Sequence, residues 1–173
     1  MSTFRLLSFL LILTVLTRPS LAAQSQSDVD AVHQVLDSYT ELEESMDMLA
    51  QARLMSEDRV WIGAGAGRVT NQAKNMQIQA AQFDRDQQAA LQGLKLFVDD
   101  RDRLVRFYGG GRVAVASFYR YMTYILPSDA PPELSEALAE TQPTMFTLVL
   151  EKRDGEWMIV HTHVSNLIPP EGG

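Results

Sequence analysis

The last third of the chain has the clearest alternation of hydrophobic and polar positions. Two β-rich runs lie on either side of Asp154-Gly155, a pattern that predicts a β-hairpin. The turn has either two residues in a type I′ conformation or three residues with Gly155 left-handed. We favour three, because Lys152 then pairs with Glu156 and one face of the hairpin becomes cleanly apolar. That face would contain Phe146, Leu148, Leu150, Met158, Val160, Thr162 and Val164.

The opposite face of the predicted hairpin is half polar. It would carry Met145, Thr147, Val149, Trp157, Ile159, His161, His163 and Ser165. Such a surface is too apolar for open water and too polar for a dry interior. We therefore expect a second copy of the chain to cover it, in a homodimer whose interface includes Trp157, His161 and His163.

The rest of the chain alternates between helical and strand-like patterns. Apolar residues at helical spacing predict a first helix over 28–44, with Ser27 as its N-cap and Asp30 in a capping-box position. Further elements follow, predicted as helices at 46–55, 71–92 and 133–140 and as strands at 59–62, 104–108 and 112–126. This order predicts one α+β domain over 28–168 with a strongly bent antiparallel sheet.

The segment 127–142 interrupts the predicted sheet. Its prolines suit a first helical turn, and Leu134, Ala137 and Leu138 form a short apolar stripe at helical spacing. Two readings stay open, a lid over a cavity and a surface helix at the sheet edge.

The N-terminus has the three parts of a secretory signal peptide. A basic residue in the first five is followed by the apolar run 6–16 and by small residues before a cleavage site. The run has eleven residues, well short of the ~20 that span a bilayer. We expect cleavage after Ala22, a short leader at 23–27, a loose tail at 169–173, and a bacterial periplasmic or secreted protein with no membrane anchor after cleavage.

Charge and cysteine content narrow the possible partners. The 173-residue chain has a formal net charge of −7 and no cysteine. An acidic chain without a basic run is a poor candidate for binding nucleic acid or anionic membranes. Without cysteine, the fold has no disulfide and no thiol nucleophile.

His161 and His163 are the most conspicuous candidates for chemistry. Alternate residues of a strand share a face, and two imidazoles placed in this way can share a zinc ion if a third ligand is present. The only other histidine is His33, so a carboxylate such as Glu151 would have to supply that ligand, and we predict no metal and no cofactor. Packing in the sheet interface is the favoured role, and hydrogen bonding to a ligand or acid–base work is the alternative.

The ending of the chain resembles a known family. Arg153-Asp-Gly-x-Trp157 with Ile159-Val-His161-x-His163-x-Ser165 resembles the last hairpin of SnoaL-like domains in the nuclear transport factor 2-like superfamily. It is also similar to the final strand of the association domain of calcium/calmodulin-dependent protein kinase II. The resemblance implies a cone-shaped, cystatin-like fold, in which a curved sheet wraps around a long helix, and sheet-mediated dimers.

The same resemblance implies a pocket at the open end of the cone. We expect ligand contacts from Tyr39, Trp61, Tyr121, Phe146, Leu148 and Thr162. Kinase hubs line this pocket with arginines where this chain has Leu148 and Val164, so we expect a mostly apolar interior.

Ketosteroid isomerases of the superfamily use a tyrosine and a carboxylate base. Tyr39 matches the tyrosine, but Gly63 stands where the base would fall. The favoured function is therefore a dimeric binder of a small apolar ligand. The alternative is a cyclase, isomerase, dehydratase or hydrolase in which Tyr39, His161 and His163 are the catalytic candidates.

Overall fold

The computed structural model describes residues 25–63, 67–78, 93–139 and 143–167. The predicted signal peptide and the C-terminal tail lie outside these ranges. The helices are α1 (Gln26–Glu44), α2 (Met48–Arg53), α3 (described over 72–78) and α4 (Pro132–Ala139). The strands are β1 (Met55–Gly63), β2 (Gly67–Val69), β3 (Lys95–Tyr108), β4 (Val113–Ile125), β5 (Thr144–Arg153) and β6 (Glu156–Asn166).

The six strands form one sheet in the order β2-β1-β6-β5-β4-β3. The β1–β6 pair is parallel, whereas the four other neighbouring pairs are antiparallel. Helix α1 contacts both β3 and β6, which are three places apart in the sheet. The sheet therefore curves around α1, as a mixed α+β fold of the predicted class requires.

Helix α1 begins two residues earlier than its sequence pattern predicts. Ser25, and not Ser27, is the N-cap, and its hydroxyl accepts a hydrogen bond from the Asp28 backbone N–H at 3.2 Å. Both serines precede an aspartate by three residues, so the sequence alone does not separate them. Val32, Leu36 and Tyr39 form the buried stripe of this helix.

The hairpin between β5 and β6 corrects the predicted three-residue loop. Arg153 pairs with Glu156 across two turn residues, and both of these have positive φ angles, 52° for Asp154 and 91° for Gly155. The register then shifts between Val149 and Leu150, so that Leu150 faces Ile159 while Val149 faces His161. A β-bulge at Val160 therefore changes which side chains of β6 point inward.

The two-residue turn pairs Trp157 with Lys152 and thereby places Trp157 in the core instead of on the predicted outer face. Trp157 is 6% exposed, its ring meets Phe107 edge-on at 5.8 Å, and its indole N–H donates to Asp28 at 3.2 Å. Ile159 is likewise buried. The placement of Trp157 in a dimer interface was wrong, because the prediction assumed a three-residue turn.

The core lies between α1 and the inner face of the sheet. Ala114 and Ala116 are fully buried there, and Phe118 stacks on Phe146 with ring centroids 5.5 Å apart. Strand β3 is longer than predicted, because it continues through a register shift between Arg101 and Leu104. Within the described residues, no helix combines the length and apolar character needed to cross a bilayer.

Candidate functional site

A cavity of about 440 Å³ lies inside the curved sheet, at the end of α1 that leads into α2. Leu42 of α1, Met46 of the following turn and Met48 of α2 form one wall, and Leu94, Leu96 and Met122 form the wall on the side of β3 and β4. Met76 of α3 and Leu138 of α4 close further sides. Its volume is within the range of roughly 300–1,000 Å³ that is usual for small-molecule pockets.

Two buried arginines lie at this end of the core, and they have very different partners. Arg120 projects from the inner face of β4 with a fully buried side chain. Its Nε donates to Asp100 Oδ1 at 2.8 Å and its Nη2 donates to Asp100 Oδ2 at 2.9 Å. Its Nη1 lies 3.5 Å from the Glu43 carboxylate, and the guanidinium is 4.6 Å from the centre of the Phe146 ring.

Asp100 is held in its charged form by this arrangement. Its side chain is only 3% exposed, and burial alone would raise its pKa. Hydrogen bonds from Arg120 and from the Thr40 hydroxyl, together with the Arg120 charge, outweigh burial and keep the pKa of Asp100 below its usual range. Asp100 and Arg120 are thus a neutralised, structural ion pair.

Arg59 lacks such a partner. It is 1% exposed and lines the cavity, yet within the described part of the chain no carboxylate oxygen lies within 4.0 Å of its guanidinium. Its Nε and Nη2 both donate to the Thr162 hydroxyl, at 3.1 and 2.6 Å. Its Nη1 reaches two weak acceptors, the sulfurs of Met55 at 2.9 Å and Met76 at 4.0 Å.

The electrostatics of Arg59 follow from this poor pairing. Burial lowers the pKa of Arg59, and the nearby Tyr39 and Glu43 oppose this effect only in part. An arginine nevertheless stays protonated near neutral pH. Within the described residues no carboxylate contacts this buried cation directly, so its contacts offset the desolvation cost only in part.

Tyr39 connects the two arginines. Burial raises the pKa of its phenol, as does the Glu43 charge, while Arg59 and Arg120 oppose that rise. The guanidinium of Arg120 lies 5.0 Å from the centre of the Tyr39 ring. Glu43 accepts a hydrogen bond from Gln51 Nε2 at 2.6 Å, so the cavity wall holds a phenol, a carboxylate and a cation close together.

Trp61 forms another part of the wall and fills the space above Gly63. A Cβ atom added at Gly63 would approach the Trp61 ring to 2.1 Å. The position therefore has no base, and a side chain there would have to displace the Trp61 ring. A ketosteroid-isomerase arrangement, which needs a carboxylate there, is incompatible with this geometry.

The sequence model of the SnoaL-like domain family matches residues 32–169, most of the chain. The protein belongs to the SnoaL-like domain family. A comparison with curated proteins found no match. Among solved structures, the chain is similar to a nuclear transport factor 2-like protein from Pseudomonas putida, with 13% identity, a TM-score of 0.62, and 86% of this chain and 93% of that chain covered.

A second solved structure shows the same likeness. A nuclear transport factor 2-like protein with a cystatin-like fold from Novosphingobium aromaticivorans is 17% identical, with a TM-score of 0.57 and coverage of 84% of this chain and 85% of that chain. At these identities the likeness concerns the fold alone. Members of this fold bind small ligands or act as enzymes, so the cavity of this SnoaL-like domain is the place to look for either activity.

The predicted ligand-contact residues separate into three groups. Tyr39 and Trp61 line the cavity. Phe146, Leu148 and Thr162 are buried beneath it, and Thr162 contributes by holding Arg59. Tyr121 is a correction, because it is 36% exposed and lies on the outer face of β4 against Arg101.

The lining of the cavity is mostly apolar, as expected, but the sequence analysis did not identify the two buried arginines. Arg59 precedes Trp61 by two positions, and Arg120 lies between Phe118 and Met122 at the same spacing, so both share a face with apolar residues. Strand alternation alone could have identified these two arginines as inward-facing. The sequence analysis missed them because it considered only the two positions where kinase hubs carry pocket arginines, and these positions are Leu148 and Val164 in this chain.

His161 and His163 lie on the outer face of the sheet, away from the cavity. His161 pairs with Val60 and Val149, and His163 pairs with Ile62 and Thr147. Burial, and secondly the charge of His163, lowers the pKa of His161. Within the described residues, no group of three or more His, Asp or Glu side chains is placed to hold a metal ion.

Proposed function

We propose that this SnoaL-like domain is an exported, dimeric protein that binds a small, largely apolar molecule in its cavity. The observation that carries the proposal is a cavity of about 440 Å³ whose wall is built mainly from methionine and leucine side chains. Methionines adapt to differently shaped apolar ligands because their side chains are unbranched and polarizable. Burial of an apolar ligand surface there supplies the driving force for binding.

The outer face of the sheet supports dimer formation through a second copy of the chain. Two rows of side chains cross it, Val60-His161-Val149-Val115 and Ile62-His163-Thr147-Ser117. Leu104 extends the second row and is 48% exposed. Trp157 has no part in this surface, since it belongs to the core of its own protomer.

Native mass spectrometry of the protein purified from its secreting host tests binding and association together. We expect a mass of two chains, each starting at Ala23, and a small molecule that is released on denaturation. A monomer at micromolar concentration would contradict the dimer, and a retained 1–22 segment would contradict export with cleavage. Failure of any apolar compound to bind would contradict the ligand-binding function.

An enzyme of the superfamily type is the second candidate, and one observation favours it. Tyr39 and Glu43 both line the cavity, which gives it a proton donor and a potential base. The chemical state of the ligand recovered after incubation distinguishes a binding protein from an enzyme. A binder returns the added ligand unchanged after prolonged incubation, whereas an enzyme converts it, and Glu43→Gln then removes the conversion without removing binding.

A further inference from the structure

Building on the proposed function, we infer that the ligand is an amphipathic carboxylate, with an apolar body in the methionine-lined cavity and its anionic group on Arg59. The inference rests on the contrast between the two buried arginines. Arg120 has two hydrogen bonds to Asp100 and a second carboxylate nearby, whereas the partners of Arg59 are two neutral hydroxyls, of Thr162 and Tyr39, and two thioethers. A guanidinium prefers a bidentate carboxylate to either of these acceptors.

The carboxylates around the cavity are already engaged with other groups. Asp100 is bound by Arg120 and Thr40, and Glu43 accepts from Gln51 and lies beside Arg120. Asp100 pairs with both Arg120 and Arg103, and Glu43 pairs with Arg120, so among the described residues that line the cavity Arg59 is the cation left for a ligand. Glu43 also sets a limit, since its negative charge on the same wall disfavours a ligand with a second anionic group near it.

The Met76 sulfur marks the point at which a carboxylate would reach Arg59. It is 4.0 Å from Arg59 Nη1, too far for more than a weak contact. A methionine side chain changes rotamer at little cost, so a ligand oxygen can replace this sulfur. Thr162 would keep its two hydrogen bonds to Arg59 and hold the guanidinium in position.

Paired probes of equal length test the charge requirement. Octanoate and 1-octanol share an apolar body and differ at the head group, and their affinities are measured by displacement of the neutral dye Nile red at pH 7.5. We expect wild-type protein to bind octanoate at least about tenfold more tightly than 1-octanol, the preference that a charged hydrogen-bonded pair supplies.

Three variants connect this preference to Arg59. Arg59→Met removes the charge and keeps the length, and it should abolish the preference for octanoate over 1-octanol. Arg59→Lys keeps the charge and should retain part of the preference. Arg153→Met is the matched control, because it removes an equal charge from a pair with Asp58 outside the cavity and should retain the full preference.

The outcomes separate this inference from the proposed function. If wild-type protein binds neither probe nor Nile red, the proposed function fails. If it binds 1-octanol and octanoate equally, or if Arg59→Met lowers both affinities alike, the cavity binds ligands but Arg59 does not select carboxylates, and the inference is overturned. The urea midpoint of Arg59→Met shows whether this variant is folded. If it is unfolded, Arg59→Lys is the deciding variant. Loss of the octanoate preference in Arg59→Lys, at a wild-type urea midpoint, contradicts the inference.

Discussion

Removal of Arg120 should destabilise the protein far more than removal of a surface arginine. The Arg120→Met substitution keeps an unbranched apolar chain between Tyr39, Phe118 and Phe146, but it leaves Asp100 buried without its two strongest hydrogen bonds. Breaking a buried ion pair from one side costs about 3–5 kcal/mol. That is a large fraction of the ~5–15 kcal/mol by which domains of this size are usually stable.

Urea denaturation followed by circular dichroism measures this effect. The free energy of unfolding should fall by about 3–5 kcal/mol at pH 7 for Arg120→Met. The control Arg153→Met breaks an exposed pair with Asp58 and should cost at most about 1 kcal/mol. Asp100→Asn added to Arg120→Met should recover part of the loss, because the uncompensated buried charge is then gone.

The pH dependence of this destabilisation tests the same prediction independently. Because the pKa of Asp100 is lowered in the fold, its stabilising contribution is present above its unfolded pKa of about 3.9 and is lost as the pH falls through the folded value. The difference between wild type and Arg120→Met should therefore shrink in acid. A loss below about 1 kcal/mol at pH 7, or a difference that grows in acid, would refute the role assigned to this pair.

Three further predictions follow from the fold and the cavity. Trp157→Ala should lower the free energy of unfolding by about 3–5 kcal/mol in urea, without changing the association state of the folded protein in sedimentation, because the ring lies in its own protomer's core. For His161, whose folded pKa is lowered, stability should fall as the pH drops below its unfolded value of about 6.5, and His161→Gln should flatten this dependence; an unchanged pH profile would contradict it. Leu138→Ala should weaken Nile red binding severalfold with little change in melting temperature, whereas Leu49→Ala on the exposed side of α2 should not; equal effects would leave α4 without a role at the cavity.

The fold was largely predictable because its elements have strong local signals. The apolar stripe of α1 and the alternation along β4 and β5 indicate the buried faces directly. The β-bulge at Val160 was not predictable in this way. In a regular strand, Trp157 and Ile159 would point to one face of the sheet and Thr162 and Val164 to the opposite face. The bulge allows all four side chains to point inward.

The site was harder to predict because its chemistry depends on partners far apart in sequence. The charge of Arg120 on β4 is balanced because Asp100 on the neighbouring strand β3 pairs with it. Arg59 stands out only because no equivalent carboxylate reaches it within the described residues. Strand parity could have indicated that both arginines point inward, but which of them remains available for a ligand required three-dimensional contacts.

The central claim, that the cavity binds a small apolar molecule, is tested most directly by blocking it. Leu42 lines the cavity from α1, and Leu42→Trp places a larger ring in that space, while Leu49→Trp adds the same ring at an exposed position of α2. Nile red titration should give one site per chain for wild type and Leu49→Trp, with at least tenfold weaker binding for Leu42→Trp at unchanged melting temperature. Equal binding by all three proteins, or no binding by wild type, would contradict the account.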